Sequence, residues 1–151
     1  MRSHLLLLIN IITALAVTLA GCGAPTKEIE VPIDVQNASD VGSLQMEISY
    51  DANVLKATNI EVEELGKNAL IESNLDNPGI IIIGIVDSSG INGGGSIVSV
   101  SFEVLEKNAA SSIIIKNVTA HDVDTLVDLP TSLTQGNFTA GDVSPPTISF
   151  K

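Results

Sequence analysis

The chain has 151 residues, of which 44% are hydrophobic and only 3% aromatic, and it has a single cysteine. Removal of a predicted N-terminal signal segment, which includes Arg2, leaves six basic side chains against 18 acidic ones, a net charge of −12. A chain this acidic is repelled by phosphate and gains nothing from counterion release, which excludes nucleic acid as a partner. The 130 residues from 22 to 151 match the length of one domain that can bury a core without disulfides.

Residues 1–21 have the pattern of a lipoprotein signal peptide. A weakly basic start precedes an almost unbroken apolar run at residues 5–19, which is shorter than the ~20 residues of a membrane-spanning helix. The run ends in Leu19-Ala20-Gly21-Cys22, which resembles the lipobox read by lipoprotein signal peptidase. We predict lipidation of Cys22, a short linker at residues 22–27, and an exported protein anchored to the cell membrane and facing outward, on the outer membrane if the cell has one. An ordinary secretory signal that ends near a cysteine is the alternative.

Beyond residue 27, apolar and polar residues alternate and β-branched residues dominate, which predicts strands. Eight strands are predicted, at residues 29–35, 44–50, 55–62, 69–73, 80–86, 97–104, 112–118 and 134–140. An Asx turn at residues 51–53, a turn at Asn77-Pro78-Gly79 and a flexible glycine-rich connection at residues 90–95 separate some of them. This spacing predicts an all-β fold, a β-sandwich.

Four motifs, taken in order, resemble the cohesin domain. They are Ser49-Tyr50-Asp51-Ala52-Asn53-Val54-Leu55, Asn77-Pro78-Gly79 before an apolar strand, Asp87-Ser88-Ser89-Gly90, and the strand at residues 97–104. The resemblance implies a jelly-roll sandwich of about eight to nine strands at residues 28–140. It also implies a dockerin module of another protein as the partner, with calcium bound only by the dockerin and polysaccharide reached only through that partner.

The two ends of the chain depart from the family pattern. Cohesins usually have a strand before the one that matches residues 28–36, and here only residues 23–27 separate that strand from Cys22. At the other end, the tail at residues 141–151 contains Ile148 and Phe150 in an alternating pattern. We expect either that this tail forms an extra edge strand in the vacant place or that it is a disordered terminus.

The segment at residues 80–86 breaks the alternation, because it is apolar on both sides. The resemblance places Ile81, Ile83 and Ile85 inward, so the other apolar side chains point outward around a gap at Gly84. An exposed apolar strip usually marks an interface, and the family binds dockerins on the outer face of this sheet. The predicted partner-binding residues are Ser43, Gln45, Glu47, Ser49, Ile80, Ile82, Gly84 and Val86. The alternative is that other parts of the chain cover the isoleucines.

In the cellulosomal cohesins, the positions that match Ser43 and Gln45 carry asparagine and aspartate, so the resemblance implies a more hydrophobic mode of binding here. Catalysis has no motif to support it, since His121 is the only histidine after residue 21 and Cys22 is the only cysteine. We therefore predict no enzyme activity, no metal site and no cofactor. Two further functions stay open: an interaction domain for surface proteins without a dockerin, and a carbohydrate-binding module, for which the chain lacks the usual aromatic platform.

Overall fold

A computed structural model describes residues 27–139 and 142–151, so the predicted signal peptide and Cys22 lie outside the described residues. It contains one 3₁₀ turn, at Glu64–Gly66. Its nine strands are β1 (Lys27–Ser49), β2 (Leu55–Val62), β3 (Leu70–Asn74), β4 (Ile80–Val104), β5 (Ala110–Asp122), β6 (Thr131–Thr134), β7 (Gly136–Thr139), β8 (Asp142–Ser144) and β9 (Thr147–Phe150). Within the described part of the chain, no helix has the length and apolar character to cross a membrane.

Two long antiparallel strands, β1 and β4, form the centre of the fold and belong to both layers of a β-sandwich. In one layer, the first part of β1 and the last part of β4 pair with each other, with β2 beside β4 and β9 beside β1. In the other layer, the last part of β1 and the first part of β4 lie between β3 and β5. The predicted all-β sandwich is confirmed.

The core lies between the two layers and is built from the inward side chains of the alternating strands. Ile33 on β1, Ile83 on β4 and Ile113 on β5 have no exposed surface. The Phe102 ring meets the Tyr50 ring edge-on, with the ring centres 5.1 Å apart. Because apolar residues alternate along most of the strands, one face supplies this core while the other meets solvent; residues 97–100 of β4 are the exception, since all four are buried.

Both predicted turns are present. The Asp51 side chain accepts a hydrogen bond from the Asn53 backbone NH at 2.9 Å, which is an Asx turn. Gly79 has a φ of +85°, and the Ile80 NH donates to the Asn77 carbonyl at 3.1 Å. A residue with a side chain would be strained at this φ, so the glycine allows the chain to enter β4 directly after the turn.

Three predicted boundaries are wrong. Residues 90–95, expected to be a flexible connection, lie inside the continuous strand β4, where Gly93 and Gly95 have positive φ. Glycine accommodates the change of direction from one layer to the other without ending the ladder. The first two predicted strands are a single strand, β1, and the predicted strand at residues 134–140 is divided at Gln135 into β6 and β7.

The tail after residue 141 belongs to the sandwich. β9 pairs in parallel with residues 34–36 of β1 and antiparallel with β6. Ile148 is fully buried and Phe150 is 7% exposed. The strand is therefore not at the sheet edge, because it lies between β1 and β6.

Candidate functional site

The first segment of β4 exposes apolar side chains to solvent. Ile81, Ile83 and Ile85 are buried, as the resemblance to the cohesin domain implies. Ile80 and Ile82 are each 40% exposed and Val86 is 53% exposed. These three side chains form an apolar strip along the solvent side of the strand, and no other part of the described chain covers them fully.

Gly84 interrupts the strip and leaves open space above the sheet. A Cβ atom added at Gly84 would meet no atom within 4 Å. On one side of Gly84 is a shallow depression of about 170 Å³, bordered by Val86 and His121. On the other side is one of about 250 Å³, bordered by Ile82 and Glu72. The gap predicted at Gly84 is therefore present.

The polar residues predicted on β1 lie directly beside the strip. In the register of β1 and β4, Ser43 lies opposite Val86, Gln45 opposite Gly84, Glu47 opposite Ile82 and Ser49 opposite Ile80. Gln45 is exposed and the other three are half-buried. The structure thus brings all eight predicted residues onto one surface, which we call the outer face: the solvent side of β3, the first part of β4, the last part of β1, and β5.

β3 and β5 add residues to the outer face that the sequence analysis did not include. On β3, Leu70 lies opposite Val86 and Glu72 lies opposite Gly84. Leu70 is 67% exposed, which makes it more accessible than any predicted apolar residue of the strip. On β5, Ile114 lies opposite Ser49 and Lys116 opposite Glu47. Only the strand register reveals these neighbours, because nothing in the local sequence of β3 or β5 indicates which strand lies beside it.

A tight turn at residues 122–128 continues the outer face beyond the end of β5. Leu126 is 74% exposed, and its φ of +58° is unusual for a residue with a branched side chain. Val127, next to it, is 62% exposed. A depression of about 190 Å³ separates Leu126 from Val86. Neither of these exposed apolar residues is among the partner-binding residues predicted from the sequence.

Hydrogen bonds hold the turn in place. The Asp122 carboxylate accepts from the Thr125 NH at 2.8 Å, from the Thr125 hydroxyl at 2.7 Å and from the Asp124 NH at 3.1 Å. The backbone hydrogen bond from Thr125, and after it the side-chain bond, hold the pKa of the Asp122 carboxyl below its ordinary value. Desolvation raises this pKa and the bond from the Asp124 NH lowers it, and both of these effects are smaller. At the base of the turn, a Cβ at Gly42 would lie 2.5 Å from Val123 Cα, so the close approach of the turn to β1 requires glycine.

His121 contacts groups of the protein rather than a set of metal ligands. Its Nδ1 lies 3.0 Å from the Ser43 hydroxyl, and its Nε2 lies 3.1 Å from a carboxylate oxygen of Asp128. Among the described residues, no three His, Cys, Asp or Glu side chains are grouped so as to hold a metal ion. The outer face thus presents apolar side chains at its centre and hydrogen-bonding groups around them.

The sequence model of the cohesin domain matches residues 15–140 of this chain. The chain belongs to the cohesin domain family. The resemblance seen in the four sequence motifs is thereby confirmed. The match ends before β8 and β9, so these two strands lie outside the part of the chain that the family model describes. No curated protein matches the chain.

Solved cohesins share this fold. A non-cellulosomal cohesin from the hyperthermophilic archaeon Archaeoglobus fulgidus is 25% identical, with a TM-score of 0.61 over 83% of this chain and 80% of that one. A type I cohesin from Clostridium thermocellum, solved as a cohesin–dockerin complex, is 18% identical, with a TM-score of 0.62 over 83% and 89%. A type II cohesin from the cellulosome of Acetivibrio cellulolyticus is 16% identical, with a TM-score of 0.56 over 82% and 86%.

Proposed function

We propose that this cohesin is a lipid-anchored module at the cell surface that captures a dockerin-bearing protein on its outer face. The observation that carries the proposal is the exposed strip of Ile80, Ile82 and Val86 beside the open space at Gly84. Soluble proteins rarely expose contiguous apolar surface without a partner for it. The complexes solved for related cohesins, such as the type I complex from Clostridium thermocellum, indicate a dockerin as that partner.

The composition of the outer face favours a partner with an apolar ridge and basic or hydrogen-bonding flanks. Glu47 and Glu72 lie on the two sides of Ile82 and Gly84, and three aspartates lie in the turn at residues 122–128. Acidic groups around an apolar centre speed association with a basic partner and reject an acidic one. Ser43 and Gln45 give this face fewer charged anchors than the cellulosomal pattern has, so apolar contact would supply most of the affinity.

The proposed anchor leaves the turn at residues 122–128 free to meet a partner. Lys27, the first residue of β1, pairs with Val104 at one end of the sandwich. The last residue of β1, Ser49, lies near the same end, because the ring of the next residue, Tyr50, packs on Phe102, which pairs with Ile29. The turn lies at the opposite end, where the Val123 NH donates to the Asp40 carbonyl at 2.8 Å. A lipidated Cys22 only five residues before Lys27 would hold the Lys27 end near the membrane and direct the turn outward.

Two other functions find less support. A carbohydrate-binding module needs an exposed aromatic platform, yet Phe102, Phe138 and Phe150 are buried and Tyr50, half-buried, packs against Phe102. Polysaccharide would thus be reached only through the captured protein. An interaction domain that binds a surface protein without a dockerin would use the same apolar strip, so the calcium dependence of binding distinguishes it from our proposal.

The test is a pull-down with residues 22–151 immobilised, from the secreted proteins of the source cell, with and without a calcium chelator. Dockerins carry paired EF-hand-like loops, so a dockerin should be recovered with calcium and lost with the chelator. Partners that bind equally well in chelator would support the interaction domain instead. Mass spectrometry of the native N-terminus tests the anchor, because an unmodified Cys22 thiol would contradict lipidation.

A further inference from the structure

The C-terminal strand β9 fills a slot between β1 and β6. Its pairing with β1 is parallel and covers only residues 34–36, and its antiparallel pairing with β6 covers four residues. Within the described residues, β6 has β9 as its only strand partner. Without β9, residues 34–36 of β1 and the whole of β6 would lose the backbone pairing that β9 provides. Two unpaired strand edges would then face each other.

The slot fits an extended segment with alternating apolar residues. Ile148 and Phe150 enter the core, with no more than 7% of either side chain exposed. Thr147 and Ser149 lie on the other side of the strand and are half-buried. The Ser149 hydroxyl also lies 3.3 Å from the Gln36 side chain. Backbone pairing together with two apolar pockets is the usual mode by which a sheet edge recognises an added strand.

The connection between β8 and β9 is two prolines, which have no NH group to donate to a sheet. Here the chain is held by the Pro146 carbonyl, which accepts from the Asp34 NH at 3.2 Å, and by close packing on Gly136. A Cβ at Gly136 would lie 2.5 Å from the Pro146 nitrogen, so glycine is required for this approach. β9 is therefore a short strand joined to β8 through two prolines, and the bond from the Asp34 NH to the Pro146 carbonyl is the first backbone contact of this segment with β1.

We propose that the slot between β1 and β6 is a strand-acceptor site that holds the segment at residues 147–150 reversibly, so that a second copy of this chain can donate the same segment. The segment lies outside residues 15–140, the part of the chain that the cohesin family model matches, whereas the strands that border the slot lie inside it. In its own chain the segment is always close, and a second copy competes only where copies are concentrated. Reciprocal exchange of an identical element makes a dimer without new contacts.

The test uses residues 22–151 carrying Ile148→Asp, which fills the slot poorly, with a synthetic peptide of residues 145–151. The unmodified peptide should bind saturably and restore the thermal midpoint toward that of the unaltered chain, and a peptide with the same Ile148→Asp change should bind at least 100-fold more weakly. Native mass spectrometry of the variant mixed with the unaltered chain should show a one-to-one dimer. A folded variant that ignores the peptide, or a mixture that stays monomeric while the peptide binds, would overturn the proposal.

If the Ile148→Asp chain does not fold, amide exchange in the unaltered chain decides. Reversible release of β9 predicts that the Asp34 amide exchanges at least tenfold faster than the buried amides of Ile81, Ile83 and Ile85, with little dependence on denaturant. The proposal would be overturned if the Asp34 amide exchanged only together with those amides and with the same denaturant dependence. That result would show that the segment never leaves its slot.

Discussion

The Ser43 hydroxyl on β1 lies 3.0 Å from Nδ1 of His121 on β5, at the end of the outer face where the strands meet the turn at residues 122–128. The other ring nitrogen of His121 lies 3.1 Å from Asp128, which ends that turn. One imidazole therefore links two neighbouring strands to the turn. Together with the Asp122 bonds and the packing of Val123 on Gly42, this linkage positions Leu126 and Val127 relative to Val86.

Replacing His121 by alanine should loosen this end of the face. The change removes the contacts with Ser43 and Asp128; the hydrogen bond with Ser43 contributes roughly 1 kcal/mol to stability, whereas the Asp128 side chain is 87% exposed and its contact adds little. Urea unfolding should show a loss of about 1 kcal/mol, and the amide signals of Leu126 and Val127 should shift in NMR spectra. Ser43→Ala, which removes only one partner, is the matched smaller change. Unaltered amide signals in both variants would show that the imidazole does not position the turn.

Two neighbouring isoleucines should respond very differently to truncation. Ile83 is fully buried whereas Ile82 is 40% exposed. Ile83→Ala should lower the free energy of unfolding by about 2–5 kcal/mol, because it leaves a cavity in the core. Ile82→Ala should lower it by less than about 1 kcal/mol, because it removes contacts mainly on the surface. Equal losses in urea unfolding would contradict the orientation of the strand.

Filling the gap at Gly84 should impair binding and leave the fold intact. The Cβ of a valine there would meet no atom within 4 Å, so the side chain would project into the open space. The backbone gains a β-branched residue in a strand, so stability should stay the same or rise by up to about 1 kcal/mol. Calorimetric titration with the captured dockerin should show at least tenfold weaker binding. Unchanged affinity would show that the partner leaves the space above Gly84 empty.

The turn at residues 122–128 should lose order in acid. The pKa of Asp122 is depressed in the folded protein by the bonds from Thr125. A depressed pKa means that this contribution to stability is present above the carboxyl's unfolded pKa and is lost as the pH falls through the folded one. The Thr125 amide should therefore keep its NMR shift from pH 7 to about pH 4 and change only in stronger acid. Asp122→Asn should show no such transition. A midpoint above Asp122's ordinary pKa would contradict the turn's hydrogen bonding.

Most strands of the sandwich could be predicted from the sequence, because the alternation of apolar and polar residues is a local pattern. Alternation of apolar and polar residues marks the strands, and the apolar run at residues 80–86 indicated an exposed apolar strip, whereas the family resemblance implied which isoleucines point outward. The turns at Asp51 and Gly79 were predictable for the same reason, since Asx bonding and positive φ depend on residues close in sequence. Local chemistry and the family resemblance together therefore predicted the centre of the outer face.

What the sequence did not reveal depends on contacts between distant segments. Leu70 joins the outer face only through its register with Val86, and Leu126 only through the close packing of Val123 on Gly42. The glycines at residues 90–95 indicated a loop because glycine is usually a turn residue, yet the long pairing of β1 with β4 continues through them. The sequence left open whether Ile148 and Phe150 belong to a strand or to a disordered terminus. In the structure they belong to strand β9.

The most direct test of the central claim is the affinity of Ile82→Asp for a dockerin, compared with that of Val62→Asp. Val62 is 51% exposed on β2, in the other layer, so it matches Ile82 in exposure and in the chemistry of the change. We predict that both variants keep the unaltered circular dichroism spectrum, that Val62→Asp binds normally, and that Ile82→Asp binds at least 100-fold more weakly. A folded Ile82→Asp variant that binds as tightly as Val62→Asp would contradict capture through the outer face.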